Sequence, residues 1–422
     1  MALKIRTQNP DSSGYRGLFA QRNFCAYLAA TSISSLGTAI AQMGLSLALL
    51  VAGYKATTVG IVLAAETVPV LILMLAGGVL GDRWSRRSLM IAADLLRFGS
   101  QAVLAVLLAI GHPQLGILMG LGGCVGIGNA FHRPAAGGLL PQILPADQLK
   151  DGNAMMGMSR SIAIILGPAI GGMLVGFGGG PFAIATDSAS YLVSAALMMF
   201  VRFPQVKIAV QNASFLTDLK RGGVEFRQHR WLPLLTGQLA LVNALNLGMF
   251  FVIGPSLFAH VQGGPQSWGI VTSCLGIGAL GGSVMMLRCS FSRPLLTIQF
   301  CIAIMATPFV FLALHAPLPV LMIGSFVLGI GMAMINTLFQ TTMQQTIPLE
   351  ILSRVSSIIG LVAMCLMPIG YSLSGPAATY FGAQRTIGAG AAVVIFTVIY
   401  VLMHAEIRSF GRPNPHAATP AN

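Results

Sequence analysis

GGVLGDRWSRRS, residues 77–88, sets Asp82, Arg83, Arg86 and Arg87 within six positions of a chain that is only 8% charged. Apolar runs close in on both sides. A water-soluble protein carries roughly a quarter of its residues as charged groups. These 422 residues are 55% hydrophobic, with a mean hydropathy of +0.80. Lipid must cover such a surface, and the charged stretch reads as a turn between two membrane-spanning helices.

A span needs about 20 mostly apolar residues. Apolar runs and their breakers predict twelve: 24–52, 57–80, 89–110, 115–140, 154–177, 181–201, 232–259, 268–287, 295–314, 318–341, 355–381 and 385–404. Short turns separate them, among them GHPQ at 111–114, GGGP at 178–181 and HAPLP at 315–319. The first run is far longer than a signal-peptide core and reads as a retained span. The one long polar connection, 202–231, divides two sets of six.

Lys and Arg sort by side. The N-terminus, the even-numbered loops and the C-terminal tail hold nineteen of the 24, the odd-numbered loops only Lys55 and Arg385. Arg97, Arg133 and Arg160 lie within spans. Positive loops stay in the cytoplasm, so both termini and the central loop are expected there. The net charge of +13 is thus a topology signal, and no basic soluble face exists for nucleic acid.

The halves echo each other at a shift of 207 residues. QRNF at 21–24 meets QHRW at 228–231, LGDRWSRR at 80–87 meets LRCSFSRP at 287–294, and Asn129 meets Asn336. After a four-residue gap, PADQLKD at 145–151 meets PLEILSR at 348–354. A parallel repeat of six spans is the architecture of a two-lobed secondary transporter, with substrate held near mid-membrane between lobes that rock. The fold expected is an all-α membrane protein of twelve transmembrane helices in two pseudo-symmetric six-helix lobes. Its parts are a first lobe at 1–201, a linker at 202–231, a second lobe at 232–405 and a tail at 406–422.

Other functions lack their residues. No pair among the six cysteines has metal-ligand spacing, and the seven histidines are scattered without an HExxH pairing. Neither a metal nor a cofactor is expected, and an enzyme is not. The absence of a GxxxxGK loop argues against direct ATP drive. A membrane sensor would usually carry an added soluble domain.

GGVLGDRWSRR resembles the best-known signature of the major facilitator superfamily, in the turn between spans two and three. GPAIGG at 167–172 resembles the span-five signature that marks its exporters, with Ala163 where the full pattern has a glycine. FHRPAAGGLLPQILPADQLKDGNA at 131–154, ADLLR at 93–97 and ATDSASYLVSAAL at 185–197 resemble the branch holding the enterobactin exporter and bacterial macrolide efflux proteins. The resemblance covers roughly residues 17–405. It implies export of an amphipathic small molecule across the bacterial inner membrane by proton antiport, acting as a monomer. A siderophore exporter is the alternative within the branch; an uptake symporter fits GPAIGG less well.

The candidate residues follow. Gly77, Gly78 and Gly81 allow close helix approach, and cations suit the end of span two. The resemblance makes these glycines with Asp82, Arg83, Arg86 and Arg87 a latch that docks against span eleven. Gly167, Pro168, Gly171 and Gly172 make a kinked, flat packing face. Glu66 precedes Asp82 by sixteen residues, about 24 Å of helix, and a carboxylate there is a proton-coupling candidate. Asp187 is the second, with a structural hydrogen bond as its other reading. Asp94 and Arg97 stand i,i+3 near the start of span three and read as a structural pair. Arg133, Asn243, Asn246, Asn336 and Gln340 are candidate cavity residues, with Phe250 and Phe251 suited to a bulky apolar ligand or to packing. Two departures stand out. GLGGCVGIGN at 120–129 has only glycines where many relatives carry an arginine, and SISSLGTAI at 32–40 offers Thr38 where many carry an acid.

Overall fold

The computed structural model describes residues 18–83, 85–145, 148–201, 223–260, 264–289, 291–347 and 349–410. Among them every regular element is a helix. Eleven helical stretches are long and apolar enough to cross a membrane. One of them counts twice. Leu149–Met199 runs 51 residues, about 75 Å, against a hydrocarbon core of about 30 Å. Gly179 breaks it with φ 77° and ψ 171°, a conformation a side chain would disfavour. Two spans therefore meet at the GGGP turn, and the chain crosses twelve times.

The spans in order are Arg22–Val51, Ala56–Arg83, Arg86–Ile110, Leu115–Ile143 and the two halves of Leu149–Met199. Span seven is Trp231–Gly248 continued through a π-turn at Met249–Ile253 into Gly254–His260. Then come Gly264–Arg288, Pro294–Met305 with Thr307–Ala313, Leu318–Thr346, Leu349–Cys365 with Met367–Phe381, and Ala383–Met403. In lipid, each helix satisfies its own backbone. Ile72, Val106, Phe300, Ile323 and Phe396 each expose more than half their area, as lipid-facing side chains should.

Spans one, three and six pack with two, four and five in the first half, and spans seven to twelve pack likewise in the second. The arginine-rich turns mark one end of the bundle, here termed the basic end. Where the halves meet is informative. Met43, Leu47 and Val175 share a core with Phe250, Phe258 and Trp268 of the second half. Val252 and Tyr371 join Leu45, Val59 and Leu63. All of these lie toward the end opposite the basic one. The cluster at the basic end, with Phe24, Tyr27, Leu89, Leu139 and Met198, draws on the first half alone.

Candidate functional site

The charged turn is shorter than its sequence suggests. Span two stays helical through Arg83 and span three starts at Arg86. Ser85 caps the new helix, accepting from the Ser88 N–H at 3.0 Å. Arg87 donates through Nε to the Met198 carbonyl at 2.9 Å and through Nη2 to that of Met199 at 2.6 Å. A guanidinium thus satisfies the open Met199 carbonyl and joins the Val201 N–H on that of Met198, at the end of span six where a cation is favoured. The surroundings of Gly77, Gly78 and Gly81 and the side chains of Asp82, Arg83 and Arg133 lie outside what is described.

GPAIGG packs on both sides. A Cβ at Gly167 would strike Ala39 of span one, and one at Gly171 would stand 2.6 Å from the Ile40 carbonyl. Gly172 faces the other half: its Cβ would lie 2.8 Å from the Pro265 carbonyl and 3.1 Å from the Cα of Gly269 in span eight. In return, a Cβ at Gly269 would lie 2.8 Å from the Pro168 carbonyl. Spans five and eight therefore touch backbone to backbone, the close approach that only small residues permit.

Inside the first half lies a buried charged network. Arg97, 3% exposed, pairs with Asp94 and donates to Asn129 Oδ1 at 3.1 Å. Its guanidinium also sits 4.2 Å from the centre of the Tyr191 ring, a favourable cation–π geometry. Asp94 accepts from Ser194 Oγ at 2.7 Å, and His132 Nε2 stands 3.6 Å away. Asn129 donates to Glu66 at 3.2 Å, which joins span two to the network. Tyr191 meets Thr38 at 3.1 Å, and Gln101 donates to Asp187 Oδ2 at 3.0 Å. Asp94 and Asp187 are fully buried.

The cavity candidates divide. Asn336 and Gln340 are exposed on span ten, beside exposed Thr337 and Gln344. Arg160 is exposed on the basic half of span five. Asn243 donates to the Ala363 carbonyl at 3.3 Å, tying spans seven and eleven. Asn246 is buried, and neither of its polar side-chain atoms has a hydrogen-bond partner among the described residues. Phe250 is packed between Trp268 and Phe309, whereas Phe251 is half-buried and touches both bridging clusters.

The family described as transmembrane secretion effector matches residues 13–419. The chain belongs to that family of major facilitator transporters. Macrolide efflux protein A of Streptococcus pyogenes is 25% identical over 395 residues, covering 91% of this chain and 96% of the relative. The multidrug efflux pump Tap of Mycolicibacterium fortuitum is 27% identical over 353 residues, covering 79% and 83%. A variant of the nucleoside transporter NupG superposes with a TM-score of 0.77 at 11% identity, covering 90% of this chain and 99% of that one. A POT family transporter gives 0.69 at 13%, covering 92% and 96%. These structures share the fold. The chain is a transporter rather than an enzyme.

Span four of this major facilitator transporter is rich in glycine at 120–128. A Cβ at Gly128 would fall on the aliphatic stem of Arg97, 3.1 Å from its Cδ. The glycine makes room for the arginine of span three. Spacing alone marks Asp94 and Arg97 as a structural pair near the start of span three. It does not reveal that the pair is the hub joining spans two, three, four and six, nor the roles of Gln101, Asn129 and Tyr191. The signal available is ADLLR itself, a cation well inside an apolar run.

Proposed function

We propose that this chain exports an amphipathic small molecule across the bacterial inner membrane by alternating access, in exchange for protons. The observation that carries the reading is the seam at GPAIGG. The stretch that resembles an exporter signature is the surface on which one half rests against Gly269 of the other. Rocking about such a seam opens one end as it closes the other.

On this reading the lobes are residues 1–201 and 232–405, joined by the linker at 202–231, and the tail is 406–422. The basic end faces the cytoplasm, with both termini there, because positive loops remain inside. The bridging cores at the opposite end then form the outer closure, and the described conformation is open toward the cytoplasm. Exposed Arg160, Asn336 and Gln340 suit the wall of that opening. Arg133, Asn243 and Asn246 are the further cavity candidates. Gly77, Gly78, Gly81, Asp82, Arg83 and Arg86 belong to a latch that closes against span eleven in the opposite state. Arg87 has the additional task of holding span six. Glu66 and Asp187 are the proton-coupling candidates, and the transporter works as a monomer.

The names of the relatives suggest macrolides as a first substrate. Proteoliposomes holding the purified protein test this with a radiolabelled macrolide and an imposed pH gradient. Gradient-driven accumulation that collapses with a proton ionophore is the expected result. Flux unaffected by reversing the gradient would remove the antiport reading, and no flux across a panel of amphipathic drugs and siderophores would remove export.

A further inference from the structure

Every ionisable Asp, Glu, Lys or Arg well inside a span belongs to the first half: Glu66, Asp94, Arg97, Arg133, Arg160 and Asp187. The second half meets the same burial problem with neutral groups. Gln238 of span seven and Gln299 of span nine exchange hydrogen bonds at 2.9 and 2.8 Å, and Gln238 also reaches Thr397 of span twelve at 3.3 Å. Each amide donates one hydrogen bond to the other and accepts one, so the two are doubly bonded.

The corresponding spans of the first half, one, three and six, hold a pair that is not complete. Gln101 of span three donates Nε2–H to Asp187 Oδ2 of span six at 3.0 Å. Among the described residues, Asp187 Oδ1 has no hydrogen-bond partner, and neither has Gln101 Oε1. Both residues are at most 3% exposed. An ionised carboxylate offers acceptors only, so it can satisfy neither orphan. A proton on Oδ1 supplies the missing donor and converts the pair into the doubly bonded form that Gln238 and Gln299 already have.

Charge count points the same way. Among the described residues, three acids, Asp94, Asp187 and Glu66, share the network with one permanent cation. Arg97 is committed to Asp94, and His132 also stands against Asp94 rather than Asp187. Around Asp187 itself, span one contributes Gly37 and Thr38, which carry no charge. A Cβ at Gly37 would lie 2.9 Å from Oδ1, so span one seals that oxygen. Span two contributes Glu66, which acts on Asp187 electrostatically, and span three contributes Arg97 and Gln101. Tyr191, one turn along span six, interacts loosely with the carboxyl and bonds Thr38. An unpaired buried carboxylate is heavily penalised and takes up a proton instead.

We propose that the buried Asp187–Gln101 acid–amide pair is the proton-carrying site of this transporter, with Gln101 as its positioning residue. This deepens the antiport reading and rests on it. One proton from the outer aqueous phase adds to Oδ1 to give the neutral acid, and its release toward the cytoplasm restores the carboxylate. Asp187→Asn would lock the pair in its neutral, doubly bonded form.

Two measurements on the full chain in proteoliposomes test it. Infrared spectroscopy with hydrogen–deuterium exchange should find a protonated-carboxyl band that is lost in Asp187→Asn, shifted in Gln101→Leu and kept in Glu66→Gln. Transport should separate likewise: Asp187→Asn keeps substrate counterflow and loses accumulation driven by a pH gradient. A band that survives in Asp187→Asn, or gradient-driven accumulation that survives there, overturns the proposal. The infrared arm reads the proton directly, so wild-type flux that ignores the gradient would fell the antiport reading while the band still reported on Asp187.

Discussion

Replacing Arg97 with methionine tests the buried network at its centre. The substitution keeps much of the side-chain volume and removes the cation. Asp94, fully buried, then retains Ser194 and loses its counter-charge. Breaking a buried pair by removing one partner costs about 3–5 kcal/mol. The stacked guanidinium over Tyr191 adds about 2 kcal/mol when desolvated, although the terms overlap and do not sum. A net loss of about 4 kcal/mol follows. Unfolding entropy of about 2.1 cal/mol/K per residue over this length makes that a fall in Tm of roughly 4–5 °C. The double variant Asp94→Asn/Arg97→Met leaves no orphaned charge and should recover about half of the loss. Thermal unfolding of the detergent-solubilised protein, followed by intrinsic fluorescence, reads both. A single variant whose Tm stays within about 1 °C of wild type would refute the reasoning, because that shift corresponds to less than a quarter of the loss. So would a double variant less stable than the single one.

Further expectations concern the seam, the cap and the neutral pair. Gly172→Val places a branched side chain against the Pro265 carbonyl and Gly269; it should force spans five and eight apart and lower transport, read as flux at equal protein in the membrane. Arg87→Ala strips the Met199 carbonyl of its donor and leaves that of Met198 with the Val201 N–H alone; it should cost about 1–2 kcal/mol by thermal unfolding, with Arg87→Lys restoring part of it. Gln299→Leu leaves Gln238 buried with one partner fewer and should cost about 1–3 kcal/mol, whereas Gln238→Leu/Gln299→Leu should cost less than either single change predicts. An additive double variant, measured the same way, would count against the mutual amide pair.

Much of the architecture is readable in the sequence because hydropathy and backbone hydrogen bonding agree within lipid. The GGGP turn marks the boundary between spans five and six even though the helix continues on both sides of it, since Gly179 alone departs from helical angles. The same agreement fails at the water boundary. Span two ends at residue 80 by hydropathy, yet its backbone remains helical to Arg83, because charged side chains do not interrupt hydrogen bonding once the helix has left the hydrocarbon. The π-turn at Met249–Ile253 leaves no trace in the sequence. It lies between Gly248 and Gly254, and the latter accommodates the Trp268 ring.

The candidate site is legible in residue type and illegible in direction. Glu66, Asp187 and Arg97 stand out as charges inside apolar runs. Which of them meet depends on the rotation of five helices about their axes, and one sequence does not specify that. Asp94 and Arg97 at i,i+3 look the same whether they face headgroups or a lobe's interior. Likewise the glycines of span four carry no hint that Gly128 yields its place to Arg97. Asn336 and Asn246 are equals as amides inside apolar runs, yet one is exposed and the other is sealed without a polar partner.

Two distances measured together test the hinge on which everything else turns. In a variant lacking the native cysteines, spin labels at Lys55 and Tyr380 report the end opposite the arginine-rich turns, and labels at Asn153 and Gln344 report the basic end. All four residues are exposed. Pulsed electron resonance in nanodiscs should find the first pair close and the second apart, with substrate or a change of pH driving them in opposite directions. Distances that both stay fixed, or that lengthen and shorten together, would contradict two lobes rocking about a shared seam.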